Sequence, residues 1–186
     1  GPGGLTAETI AQRDMIPISA NFVPIENVAA QWRDYALARE KAGQIADRQV
    51  WRVCRNILVT ETDEEGAQLL TDPDGVIAHY FRYIRGVRQI EEFQSLQQEP
   101  LPLLNEFLEV PLALEDCAIV GSADTVLARL IELVDELGPF GTLVMVGHDW
   151  DESGLSQGSM HRMAEDILPQ LKQHVDSLGP ERWIES

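Results

Sequence analysis

The sequence predicts an α/β fold of parallel strands with flanking helices, and three observations carry that class. Short apolar runs of strand length alternate with longer amphipathic stretches, in the order helix, strand, helix, strand, helix. The run TLVMV at 142–146 is almost wholly apolar, which suits a strand buried on both faces, the habit of parallel sheets. Two of the helices open at Thr62 and near Ser122, and two close at Gly43 and Gly138, the residue types that satisfy free backbone groups at helix ends.

Taken in order, residues 5–14 (LTAETIAQRD) form a short helix after a glycine-rich opening, and 15–20 (MIPISA) a first strand. Asn21-Phe22-Val23-Pro24 is the loop behind it. Residues 25–43 form a helix with Val28, Ala29, Trp32, Tyr35 and Ala36 on one face, capped by Gly43. Residues 49–61 (QVWRVCRNILVTE) turn from alternating to apolar and give a second strand. Thr62 caps the next helix, whose acidic first turn suits the helix dipole. His79 to Ile84 suggest a further helix, and the proline-broken stretch at about 86–116 reads as an insertion of the kind that covers a site.

The closing unit, 117–171, is the most readable. A helix starts near Ser122 or Ala123, repeats Val126, Leu127, Leu130, Ile131, Val134 and Leu137 at helical spacing, and ends at Gly138-Pro139. The third strand (142–147) follows, then an amphipathic helix over 156–168, with a polar tail expected to fray. Three strands buried on both faces need more sheet than this, either from a second chain or from residues upstream. The chain opens Gly-Pro-Gly-Gly without an initiating Met, which reads as a lost beginning or a cloning scar.

Composition removes several function classes. At 186 residues and 44% hydrophobic content the chain fits one domain with a core. Thirty-one acidic against fourteen basic residues give a net charge of −17, a field that repels nucleic-acid phosphates and anionic lipid. No apolar window has membrane-spanning length and no signal-peptide pattern opens the chain, so a cytoplasmic home is the default. Cys54 and Cys117 sit far apart in apolar runs, as buried reduced thiols do. His79, His148, His161 and His174 show no pair at ligand spacing, so no metal is expected, and no GxSxG elbow occurs.

Ligands of parallel α/β sheets gather beyond the C-terminal ends of the strands, which selects the loops at 21–23, 61–63 and 147–150. His148 is the sharpest candidate for an acid, base or hydrogen-bond donor, against the plainer reading that His148 and Asp149 shape the loop. Trp150 would stack on a flat ligand or simply pack. Gly3-Gly4-Leu5-Thr6 joins a glycine turn, a hydroxyl and a helix start, which makes either an anion site suited to phosphate or an ordinary capped turn.

The order GSADTV, GTLVMVGHDWD and a helix ending AEDILPQL, preceded by PISANF and VTETDEEGAQ, resembles the C-terminal part of the luciferase-like flavin-dependent monooxygenases, and most of all their diketocamphane and limonene-type group. The resemblance implies the C-terminal half of a (β/α)8 TIM-like barrel over residues 1–175, with a tail at 176–186. It implies reduced FMN, supplied by a separate flavin reductase, as the cofactor, and O2 and a small organic substrate as reactants. Thr6, Gly3 and Gly4 fall at the FMN phosphate, Asn21 and Phe22 at the isoalloxazine ring, His148 at the reacting centre, and Asp149 and Trp150 at the substrate pocket. The N-terminal half of the barrel, or a second chain in a homodimer, supplies the remaining strands. The alternative is a half-barrel without catalysis that self-associates or binds a partner.

Overall fold

The computed structural model describes residues 4–89, 117–147 and 154–185. Three of the strands are those expected: β1 (Ile18–Ser19), β3 (Arg52–Val59) and β5 (Thr142–Val146). All pair in parallel, and β3 is their centre. Arg52 is matched by Ile18 of β1 and by Thr142 of β5, so those two strands lie on opposite edges of β3. A fourth strand, β4 (Ala118–Gly121), was not expected, because four residues ending in glycine directly before a helix carry no period of their own. Asn56 is matched both by Val146 of β5 and by Ala118 of β4, which puts β4 on the β1 edge, beyond the point where β1 has ended.

The helices follow the sequence signals. α1 (Gly4–Gln12) packs against α2 (Ile25–Lys41), and Gly43 takes the left-handed φ of +69° that ends α2. In α3 (Asp63–Thr71), the Thr62 hydroxyl accepts from the Glu65 N–H at 3.2 Å. The expected helix around His79 is α4 (Val76–Gln89), and α5 (Ala123–Leu137) is capped by Ser122 and closed by Gly138 at φ +78°. The last helix departs from expectation: α6 (Leu155–Arg162) runs through a π-type turn (Met163–Ile167) into α7 (Leu168–Ser177). Pro169 has no N–H to return to Glu165, so the helix is reset there instead of ending. The tail is also held, because β6 (Ile184–Glu185) pairs antiparallel with β2 (Ala46–Asp47).

One face of the sheet carries the main core. Val53, Ile57 and Val59 of β3 pack under Val28 and Trp32 of α2, Val126, Leu130 and Leu133 of α5, and Ile167 and Leu171 behind them. The other face is covered in part by Ile77 and Phe81 of α4, over Ala118 and Val120. The two outer edges are open: no described strand pairs beyond β1 or β5. Accordingly Met15, Ile16 and Ile18 are about half exposed (52%, 49% and 60%), and Leu143 to Val146 are half-buried where burial on both faces was expected. Among the described residues the architecture is therefore α/β, a parallel sheet with flanking helices that does not close.

The N-terminal ends of the strands are clamped. Trp51 stacks on Trp32 at 4.7 Å between centroids, and its indole N–H donates to the Ser19 hydroxyl at 3.0 Å. Arg48 lies 5.1 Å and 5.6 Å from the centroids of Trp32 and Trp51 and donates from Nη1 to the Leu137 carbonyl at 2.7 Å. The Gly141 N–H donates to the Arg48 carbonyl at 2.9 Å.

Candidate functional site

At the opposite end, the C-terminal tips of β3, β4 and β5 surround a cavity of about 160 Å3. Its walls are mostly apolar: Leu58, Ile77, Val120, Met145 and Leu155 take part, with Asn56, Ser156 and Ser159 as polar members. α6 is fastened over it because β5 stops at Val146, short of the end of β3. The Val59 N–H therefore finds no strand partner on that edge and donates to the buried Ser159 Oγ at 2.8 Å. Arg162 adds Nη1 to the Val59 carbonyl at 3.4 Å and Nη2 to Glu61 Oε1 at 2.8 Å.

A polar network stitches the other edge of β3, where β1 hands over to β4. Asn56 is buried, accepts at Oδ1 from Asn21 Nδ2 at 2.6 Å, and donates from Nδ2 to the carbonyls of Asn21 (2.8 Å) and Cys117 (2.7 Å). Asn21 Nδ2 also lies 2.9 Å from the Tyr80 hydroxyl of α4. On the helix-covered face, Arg55 is 1% exposed and donates from Nη1 to the Val23 carbonyl at 3.2 Å. Its Nε and Nη2 have no partner among the described residues, and burial pushes its pKa below the usual guanidinium value. Asp63 ties α3 to the start of α5: its carboxylate accepts from the Ser122 N–H at 2.7 Å and the Thr125 hydroxyl at 2.9 Å. Those two bonds, the Ser122 N–H first, hold its pKa below the ordinary carboxylate value.

The expected site residues divide. Asn21 lies at the tip of β1 with its carboxamide committed to Asn56 and Tyr80. Phe22 is half-buried and wedged between the two apolar clusters. Thr6 is half-buried on α1 and, with Phe22, lines a second cavity of about 200 Å3 along β1, shared with Ile10, Gln31 and Asp34. Gly4 opens α1, whose first turn carries no acidic residue. Gly3, His148, Asp149 and Trp150 lie outside the described residues, as does most of the expected insertion. Asn56, Tyr80 and Ser159 escaped the sequence reading. The one available signal was the polar pair Arg55-Asn56 at the centre of a strand whose other inner positions are apolar.

Among the described residues no helix is long and apolar enough to cross a membrane. No protein-family model matches the chain. It is 25% identical over 167 residues to 3,6-diketocamphane 1,6-monooxygenase of Pseudomonas putida, a match covering 86% of this chain and 42% of that protein. A match to 4-hydroxyprotoasukamycin monooxygenase of Streptomyces nodosus subsp. asukaensis is 23% identical and covers 83% of this chain and 39% of that one. Among solved structures, the oxygenating constituent of the Pseudomonas putida 3,6-diketocamphane monooxygenase, in complex with FMN, aligns with a TM-score of 0.65 at 24% identity, over 88% of this chain and 45% of that one. Long-chain alkane monooxygenase shares the fold at a TM-score of 0.52 and 17% identity, over 93% of this chain and 40% of that one. The chain thus spans less than half the length of the relatives it matches.

Proposed function

We propose, from its likeness to the luciferase-like flavin monooxygenases, that this chain is the C-terminal part of a (β/α)8 barrel that uses reduced FMN and O2 to oxygenate a small organic substrate. The observation that carries the reading is the sequence match across 86% of the chain to a named monooxygenase. The sheet supports it, since open edges on β1 and β5 leave room for the other strands of a barrel. Those strands come from the N-terminal half of the barrel or from a second chain, and the whole assembly is read as a homodimer served by a separate flavin reductase.

The residues fit a flavin at the strand tips. A mostly apolar cavity with a few polar members suits one end of a flat, amphipathic ring. The Thr6 hydroxyl and the α1 N-terminus, free of acidic residues in its first turn, suit the phosphate together with Gly3 and Gly4. Asn21 and Phe22 stand toward the ring, His148 hydrogen-bonds the reacting group, and Asp149 and Trp150 shape the substrate side. Bound reduced FMN would supply two electrons, so that one oxygen atom of O2 enters the substrate and the other leaves as water. The protein's share is to hold ring and phosphate apart at fixed distance, to exclude water with α4 and α6, and to keep a donor near the substrate.

The test is a titration of the intact protein with FMN, followed by the loss of free-flavin fluorescence. Saturable one-to-one binding, weakened in Thr6→Ala for FMN but not for riboflavin, supports the reading; no binding of either flavin removes it. Unchanged turnover in His148→Ala removes that residue from the chemistry. The second reading, a non-catalytic half-barrel that associates through its open edges, is favoured by the exposed Met15, Ile16 and Ile18. A 20.8 kDa chain that self-associates and never binds flavin would select it.

A further inference from the structure

Where β1 stops at Ser19 and β4 begins at Ala118, the same edge of β3 passes from one partner strand to another. A break of this kind leaves backbone carbonyls of both flanking segments without ladder partners, and it falls next to the strand-tip cavity. Asn56 fills it. Its amide donates to the carbonyls of Asn21 and Cys117, one on each side of the break, while its oxygen receives the side chain of Asn21. The neighbouring strand residue, Arg55, reaches the Val23 carbonyl from the other face, so the turn at 21–23 is held by consecutive residues of β3. All three hydrogen bonds of Asn56 are spent on the protein. Although it lines the cavity, it lends no donor from that amide to a ligand.

We propose that Asn56 is the positioning residue of the strand-tip pocket: through Asn21 it fixes the turn that carries Phe22, and so sets the pose of the flavin ring without touching the flavin phosphate. This rests on the flavin reading above. An aspartate at 56 would keep the volume and lose the donor. Its carboxylate would face two carbonyl oxygens, so the turn would be released while the core stays filled.

The experiment compares FMN with riboflavin, which has the ring but not the phosphate, in intact wild type, Asn56→Asp and Tyr80→Phe. Tyr80→Phe removes only the hydroxyl beside Asn21 and is the milder variant should Asn56→Asp fail to fold. Asn56→Asp is expected to weaken both flavins by the same factor, about tenfold or more, and to change the visible circular dichroism of the bound ring. Tyr80→Phe is expected to do so by about threefold. In both, the ratio of FMN to riboflavin affinity stays at the wild-type value. Arg48→Met, at the other end of the sheet, lowers stability and leaves both affinities alone. Wild-type affinities and spectrum in Asn56→Asp and Tyr80→Phe overturn the proposal, as does a loss confined to FMN, which would place the effect at the phosphate. If wild type binds neither flavin, the functional reading fails first and this inference with it.

Discussion

Replacing Arg48 by methionine tests the clamp at the N-terminal ends of the strands, the end of a parallel α/β architecture devoted to stability and not to chemistry. The change keeps the apolar stem and removes the guanidinium. Two contacts over indole rings, at 5.1 and 5.6 Å, are lost, worth about 0.5–1 kcal/mol each at a partly exposed site. So is the bond to the Leu137 carbonyl at 2.7 Å, where a cation meets the C-terminus of α5, worth about 1.5–3 kcal/mol before solvent is considered. Because one guanidinium serves all three and Arg48 is only half-buried, the expected total is about 2–3 kcal/mol. Urea unfolding of the intact protein measures it from the shift in midpoint at constant slope. Arg48→Lys should fall between, since an ammonium cannot stack and donate in the same fork geometry. A loss below about 0.5 kcal/mol in Arg48→Met would refute the reasoning and reduce the arginine to an ordinary surface charge.

Other perturbations have equally definite outcomes. A Cβ on Gly141 would collide with the Gln49 carbonyl oxygen, a backbone atom that cannot swing aside as a side chain would, so Gly141→Ala should cost about 3 kcal/mol or more by the same unfolding assay. Ser159→Ala leaves the buried Val59 N–H without its acceptor; about 1–3 kcal/mol should be lost, and amide exchange at Val59 should accelerate selectively. Asp63 is the acid-sensitive tie between α3 and α5. Because its pKa is depressed in the folded state, its contribution is present above the unfolded carboxylate value, about 3.9, and is lost as pH falls through the lower folded value. A stability profile from pH 7 downward, compared with Asp63→Asn, should show a shallower acid limb in the variant; superimposable limbs would remove Asp63 from the acid response.

Much of the fold was readable because its determinants are local. Leu130, Val134 and Leu137 recur at helical spacing, Thr62 and Ser122 announce helix starts, and Gly43 and Gly138 mark ends by needing positive φ. β4 was not readable: its four residues are specified by the exposed edge of β3, a partner 62 positions away in the Asn56–Ala118 pair. The run at 142–146 was right in place and type and wrong in burial, since no described strand pairs along its outer edge. The candidate site was legible mainly as a location. Strand-tip logic picks out Asn21 and Phe22, but whether an asparagine contacts a ligand or braces the backbone depends on Asn56, Tyr80 and Cys117, which converge only in three dimensions.

The central claim is that a flavin sits across the tips of these strands, between the turn after β1 and the end of β5. Hydrogen exchange of the intact protein with and without FMN reads that position directly. Slowed exchange is expected at the α1 N-terminus, in the 21–23 turn and over residues 145–150, with no change at Arg48 and Gly141 of the clamp on the opposite end. Protection at those two residues, or none at the strand tips under saturating FMN, would contradict that claim.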